Sequence, residues 1–535
     1  MEDIRTRTVL LSVLLLTATL LPMQGAGAGL NGDGHLDIVT AAHFYSTTCL
    51  GDGTADFVCT ELGTFPERGQ DIGLGDLDAD GDIDIVLAMT YSAPNESCLN
   101  DGAGSFTCGD LTADGLPDGG GNRSSFGAAM GDFDEDGTLD AVFANANTGT
   151  AEIDAKNRIC LGDGTGMFDC ADVEARQDYS ADVAAGDLDG DGHLDLVFAT
   201  NENGQFSSPN RLCFGDGEGG FTCENLPGGK RRSYGVALGD FDGDRDLDLV
   251  IANLAIDGSG RNQLCENDGS GSFSCSNISG HDERSQSIAV GDVDGDKDLD
   301  VLFANSERSR ICRNRGGGDF KCRRRLPGPN GDLSIALGDF DEDGHLDAFG
   351  AGGATGEERI CLGDGGGRFD CAPFPHSGGL RTSRATVVPP LCDGKVPTLI
   401  GTAGNDVIRG TAGDDVIWSG DGDDKVFGYG GDDTICLGEG NDRGVGGDGD
   451  DVVLGGFGDD TLLGNGGDDT LSGQAGEDVL RGHGGHDMAA GGPHDDLLIG
   501  GDGNDVLIGH GGTDHISGGA GTDVCSTETK SGCEA

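Results

Sequence analysis

The sequence predicts an all-β protein made of two repeat arrays rather than one domain around a conventional core. Three observations predict it. Fourteen cysteines fall into seven pairs, each pair straddling a Gly/Asp turn. A nine-residue acidic loop recurs every 47 to 56 residues between Asp76 and Asp347. From Gly401 onward the chain repeats with a period of nine, with an aspartate at one fixed position of every unit. Repeats of these lengths belong to architectures in which each unit buries its apolar face only against its neighbours.

Composition sets the terms. The 535 residues include 96 Asp+Glu against 33 Lys+Arg, a formal net charge of −63. Glycine accounts for 102 residues, aromatics for 5%, and Trp418 is the one tryptophan. So few large apolar side chains cannot fill a single core of this size, and so much negative charge repels itself in a compact body. Either the chain is disordered or something positive neutralises it. The periodic placement of the acids favours the second. The charge has the wrong sign for phosphate, so no nucleic-acid partner is expected.

The amino terminus reads as a secretory signal peptide, residues 1–28. Arg5 and Arg7 precede an apolar run over 9–21, Pro22 ends it, and Ala26-Gly27-Ala28 offers a small-x-small cleavage site. The run is short for a bilayer span. Export to the extracellular space, the cell surface or a periplasm is therefore expected, with no membrane span in the mature chain.

The cysteine pairs are 49/59, 98/108, 160/170, 213/223, 265/275, 312/322 and 361/371. A Gly/Asp turn between short extended runs is a hairpin signal, and it sets the two cysteines opposite each other, within bridging reach. A zinc site is the alternative, but no histidine accompanies the pairs regularly. Cross-strand disulfides are expected, in keeping with export. Cys525 and Cys533 are placed to close the C-terminal tail. The partners of Cys392 and Cys436 stay open.

In the first array each unit has a strand-like run, the acidic loop, a second run and the cysteine hairpin. That is about four short strands, the content of a propeller blade. One loop reads Asp187-Leu188-Asp189-Gly190-Asp191-Gly192-His193-Leu194-Asp195. Carboxylates at positions 1, 3, 5 and 9 converge on one centre, a carbonyl at position 7 can join them, and Gly at position 6 permits the sharp turn. Hard oxygen donors in this number suit Ca²⁺.

These loops resemble the FG-GAP/VCBS repeats of integrin α-type β-propellers over about 345 residues. The resemblance implies a seven-bladed propeller with Ca²⁺ in loops on one face. Its implied ligands are Asp76, Asp78, Asp80 and Asp84; Asp132, Asp134, Asp136 and Asp140; Asp187, Asp189, Asp191 and Asp195; Asp240, Asp242, Asp244 and Asp248; Asp292, Asp294, Asp296 and Asp300; Asp339, Asp341, Asp343 and Asp347. A first, degenerate copy offers Asn31, Asp33 and Asp37 but has Gly29 at position 1, so a weak or empty site is expected there. That copy also lacks a preceding strand. Residues 382–388 look like the missing strand and are expected to close the ring by completing the first blade, giving a propeller over 29–388. Arg245 and Lys297 replace the turn glycine and are expected to cost up to about 1 kcal/mol each if φ is positive there.

A Pro-rich linker, 389–400, leads to fourteen nine-residue units over 401–526. Position 6 is Asp406, Asp415, Asp424, Asp433, Asp442, Asp451, Asp460, Asp469, Asp478, Asp487, Asp496, Asp505, Asp514 and Asp523; position 4 is Gly except at His494; position 8 is mostly Ile, Val or Leu. The array is similar to the RTX nonapeptide of parallel β-rolls. The resemblance implies two units per coil, about seven coils, and Ca²⁺ between stacked turns, each Asp facing the Asp eighteen residues on. Metal binding is then folding energy. His483, His486, His494, His510 and His515 read as variable turn or strand positions. A short tail, 527–535, follows.

No Gly-x-Ser-x-Gly elbow, His-Glu-x-x-His motif or phosphate loop occurs. The Asp pairs recur in every repeat, whereas a catalytic pair would occur once. The expected molecule is an exported, non-enzymatic calcium-binding protein acting in adhesion or surface binding, with a surface glycan or protein as ligand. A calcium-dependent lectin, or a polysaccharide lyase or hydrolase working from the propeller face, are the alternatives. The basic clusters Lys230-Arg231-Arg232 and 321–325 read as ordinary loop charge, with an anionic glycan or an acidic partner loop as the functional alternative.

Overall fold

Every four-stranded sheet of the first array is a blade, and there are seven. The computed structural model describes residues 30–531 except 34, 43–45, 63–68, 91–92, 113–123, 147–155, 177–178, 202–208, 255–260, 279–283, 306–307, 328–331, 352–357, 375–381, 389–391, 394, 403 and 527–528. The signal peptide expected over 1–28, Gly29 and Cys533 lie outside these residues. The described residues contain no helix, and so none long and apolar enough to cross a membrane.

The strand before each acidic loop is the innermost of its blade. Gly69–Gly75, Ser125–Gly131, Ser180–Gly186, Ser233–Gly239, Ser285–Gly291, Ser334–Gly338 and Thr382–Val388 pack side by side in a closed ring. Thr382–Val388 pairs antiparallel with Asp37–Ala42, Ile38 opposite Val387, so the two ends of the array share blade 1. The second strand of a blade is buried at every residue, as in Asp195–Thr200. Its apolar run does not alternate because both faces of a blade are covered by neighbours. The core is accordingly a set of inter-blade clusters, such as Phe133, Val142, Leu196 and Phe198 between blades 3 and 4.

Arg384, on the closing strand, reaches across the ring. It lies 2.9 Å from Asp182 of blade 4 and 3.5 Å from Asp71 of blade 2, and it donates to Ser287 Oγ of blade 6 at 3.1 Å. All seven hairpin cysteine pairs are disulfides between register partners on the two outer strands. Cys392 pairs with Cys436, tying the linker to the roll, and Cys525 is disulfide-bonded as well.

The second array is a parallel β-solenoid of about seven turns, with two eight-stranded sheets whose neighbours are eighteen residues apart, Val452 beside Thr470. Strands run up to six residues, longer than the three expected, because positions 2 and 3 also stack in register, as Gly447 with Asn465 and Asp448 with Gly466. The position-8 side chains form a single file of buried apolar groups from Ile417 to Cys525. Gly444 interrupts the file; a Cβ there would lie 3.1 Å from Leu437 Cδ1 and 2.7 Å from Val453 Cγ1. Leu437, at a position that is otherwise mostly glycine, fills the gap and is itself fully buried.

Candidate metal centres

Each full propeller loop is built from its own aspartates. The position-1 carboxylate accepts the amide of position 6 in every full loop, together with that of position 5 at Asp76, Asp132 and Asp339, as Asp76 does from Asp80 at 3.1 Å and Gly81 at 3.0 Å, or that of position 4 at Asp187, Asp240 and Asp292, as Asp187 does from Gly190 at 2.8 Å. The position-5 carboxylate accepts the amide of position 7, as Asp80 does from Asp82 at 3.1 Å. Position 6 has a left-handed backbone throughout: φ is 93° at Gly81, 88° at Gly137 and 89° at Gly192, and also 83° at Arg245 and 76° at Lys297. The condition set for those two residues, a positive φ, is present at both.

The turn leaves one group unsatisfied. Oδ1 of the position-3 aspartate is buried and has no hydrogen-bond partner in Asp78, Asp134, Asp189, Asp294 and Asp341. Carboxylate oxygens of Asp76, Asp78 and Asp84, of Asp187, Asp189 and Asp195, and of Asp240, Asp242 and Asp248 each lie within 4.8 Å of one another; so do those of Asp132, Asp134 and Asp136. Buried oxygens of like charge this close need a cation, and an all-oxygen donor set fits a hard one.

Position 9 does a second job that spacing alone did not disclose. Its two oxygens hold the loop to the blade, except at Asp300, where Oδ1 takes the amide of Asn314 and Oδ2 is buried without a partner. Asp195 accepts from Leu188 N at 2.9 Å and from Gly215 N at 2.8 Å, and Asp84 from Leu77 and Asn100 at 2.8 and 2.7 Å. Burial pushes these carboxyls up, against the lowering effect of the amide bonds, to about 7 for Asp84, Asp195, Asp248 and Asp347 and about 8 for Asp300.

The degenerate first loop closes on itself. Asn31 Nδ2 donates to Asp33 at 2.8 Å, and Asp37 takes the amides of Leu30 and Gly51. Blade 6 departs in a way the sequence did not show: the Arg313 guanidinium pairs with Asp294, supplying a fixed positive charge inside that acidic loop.

The solenoid repeats one interaction. From Asp424 onward, Oδ1 of each position-6 aspartate accepts the amide of the aspartate one coil earlier, as Asp424 N to Asp442 at 2.7 Å and Asp460 N to Asp478 at 2.8 Å. Oδ2 is left buried and unpartnered in Asp424, Asp433, Asp442, Asp451, Asp460, Asp469, Asp478, Asp487, Asp496, Asp505 and Asp523. It points at the position-1 residue of its own unit; a Cβ on Gly446 would come within 2.1 Å of Asp451 Oδ2. Burial drives those from Asp424 to Asp505 up, to about 9 at Asp433 and about 8 at Asp460. The first two units differ. Thr402 and Thr411 stand at position 2, and their amides and hydroxyls take the second oxygen of Asp406 and Asp415.

Three comparisons bear on these repeats. FG-GAP-like repeats match over 76–143, 132–198, 187–251, 240–303 and 292–350, together slightly more than half of the chain. The RTX calcium-binding nonapeptide repeat matches over 400–435, 437–471, 454–489 and 490–525. None of the curated proteins matches. Among solved structures, an Agrocybe aegerita lectin, described as specifically recognising non-reducing terminal N-acetylglucosamine, aligns at 17% identity and a TM-score of 0.47, covering 67% of this chain and 96% of the lectin. A Lactobacillus plantarum protein aligns at 10% identity and a TM-score of 0.42, covering 66% and 99%.

Proposed function

The chain belongs to the FG-GAP-like repeat family and ends in RTX calcium-binding repeats, and from that premise we propose an exported, non-enzymatic calcium-binding protein whose metal-ordered body serves adhesion or surface binding. RTX repeats bind Ca²⁺. The observation that carries the reading is the set of buried carboxylate oxygens with no protein partner, eleven in the solenoid and six in the propeller among the described residues. Each is costly where it stands unless a cation meets it. Bound Ca²⁺ supplies the positive charge. In the propeller, positions 1, 3, 5 and 9 of the six full loops would hold it, position 9 also anchoring the loop to the blade. In the solenoid, the position-6 aspartates from Asp424 onward would hold it between coils. The disulfides, eight of them traced, support an oxidising, extracellular setting.

Calorimetric titration of the mature chain, followed in parallel by circular dichroism, tests this. The expected outcome is many sites per chain, near 10⁻⁴ to 10⁻³ M as is typical of extracellular modules, with β signal and melting temperature lowered in chelator. An absence of binding heat together with an unchanged spectrum overturns it. A glycan array with and without Ca²⁺ then addresses the role. Calcium-dependent retention on one sugar makes the surface-binding function that of a lectin, and turnover of a polysaccharide contradicts the non-enzymatic reading.

A further inference from the structure

The first coils of the solenoid lie against the loop face of the propeller. Thr402 Oγ1 lies 3.4 Å from the Gly344 carbonyl oxygen, Gly404 sits against Gly344, and the side chain of Asp187 packs against Gly413. The Arg245 guanidinium sits 3.9 Å over the ring of Tyr429, which stacks in turn on Phe427. Asp406 is within electrostatic reach of both Asp292 and Lys297.

Arg245 and Lys297 are the two residues that occupy position 6 of an acidic loop where the other full copies use glycine. Their left-handed backbone disfavours any side chain. Their amides make the same bond a glycine would make, to Asp240 at 3.1 Å and to Asp292 at 2.7 Å. The loops therefore gain nothing from these side chains, and their use lies outside the loop. Tyr429 shows the same mark from the other side. It stands at position 2 of its unit with φ 85°, where the adjoining units have Gly420 at 97° and Gly438 at 98°. Both partners of the cation–π contact thus hold a backbone conformation suited to glycine, and the contact spans the two arrays.

The rest of the seam repels. Asp187 and Asp414, Asp292 and Asp406, and Glu342 and Asp421 are within electrostatic reach of each other, each pair bringing one acid from a propeller loop toward one from a solenoid turn. We propose that the loop face of the propeller is a docking surface for the solenoid, keyed by Arg245 and Lys297, and that divalent cation bound in the adjoining acidic turns is what lets the like-charged faces meet. The metal-bearing state is taken from the function proposed above; the role of the two keys is not. The two calcium arrays then act as one rigid body, and the docked solenoid occupies the rim that the acidic loops present.

The test uses the full mature chain in millimolar Ca²⁺. The variant Arg245→Gly/Lys297→Gly keeps every loop hydrogen bond and relieves two strained residues, so it folds at least as well as the parent. Its dichroism spectrum and propeller melting temperature are expected to be unchanged or improved. Its radius of gyration by small-angle X-ray scattering is expected to rise, and trypsin to cut faster at linker Lys395. Tyr429→Ala, made from the solenoid side, is expected to do the same. Scattering curves of both variants that superimpose on the parent's in Ca²⁺ overturn the docking role. That result is distinct from failure of the calcium-dependent fold, which appears as a parent spectrum indifferent to chelator.

Discussion

The amide of Asp433 donates to Oδ1 of Asp451, one coil on and 2.9 Å away, and Oδ2 of Asp451 is left buried with nothing to meet it. One carboxylate is thereby divided between a structural bond, present without metal, and a free oxygen. Asp451→Asn keeps an acceptor for the amide and removes the charge. Calcium affinity of the adjacent turns is expected to fall roughly tenfold, about 1.4 kcal/mol, because ligand charge count sets affinity. Asp451→Ala should add about 1 kcal/mol of loss in chelator as well, since the amide of Asp433 is then orphaned. Calcium titrations of both variants by dichroism check the pair; equal behaviour of Asn and Ala would refute the division of labour.

Acidity should stabilise the metal-free protein. Asp433 titrates at about 9, Asp460 at about 8 and Asp84, Asp195, Asp248 and Asp347 at about 7, all raised first of all by burial. Unfolded aspartate titrates near about 3.9. The folded state thus binds more protons between those values, so its stability is complete below about pH 4 and is lost as pH rises through 7 to 9. Scanning calorimetry in chelator should give a lower melting temperature at pH 8 than at pH 5, and saturating Ca²⁺ should abolish the difference. A melting temperature in chelator that climbs with pH contradicts this assignment.

Arg384 pairs with both Asp71 and Asp182, and both acids also accept an amide from the next blade, Ala128 at 3.0 Å and Val236 at 3.1 Å. Arg384→Met leaves two buried carboxylates unpaired and should destabilise the propeller by about 3–5 kcal/mol. Adding Asp71→Asn and Asp182→Asn should restore most of that, because the asparagines still accept the amides. Denaturant unfolding of the three proteins is the measurement; a loss under about 1 kcal/mol for Arg384→Met would remove the pin from the account.

The Cys392–Cys436 bridge closes 44 residues of chain and holds the buried Cys392 against the solenoid. Beside it Lys395 Nζ donates to Thr434 Oγ1 at 3.0 Å. Replacing both cysteines with alanine should weaken the first coils by up to about 4 kcal/mol on the loop-entropy estimate and expose Lys395 to trypsin in Ca²⁺. Cleavage at the parental rate would show that the bridge restrains nothing.

Much of the site was legible before any coordinates. The aspartates of the six full loops and the fourteen position-6 aspartates recur with a fixed period, and a period is a statement about neighbours: each unit meets the next in the same way. Ring closure by Thr382–Val388 followed from the same logic, since the first blade lacks a strand and the last unit is followed by one too many. The departures were not legible. Arg313 inside the blade 6 loop, Thr402 and Thr411 against Asp406 and Asp415, and Leu437 beneath Gly444 are single substitutions whose meaning depends on what they touch.

The amino-acid order by itself determined both repeat architectures, the seven hairpin disulfides and the regular lines of carboxylates, because each is specified by contacts between adjacent, near-identical units. Only the tertiary structure decided that Arg384 spans three blades, that Cys392 finds Cys436, and that Arg245 meets Tyr429 across two arrays. Those contacts join residues with no shared period. They exist only once the ring has closed and the solenoid has come to rest on its face.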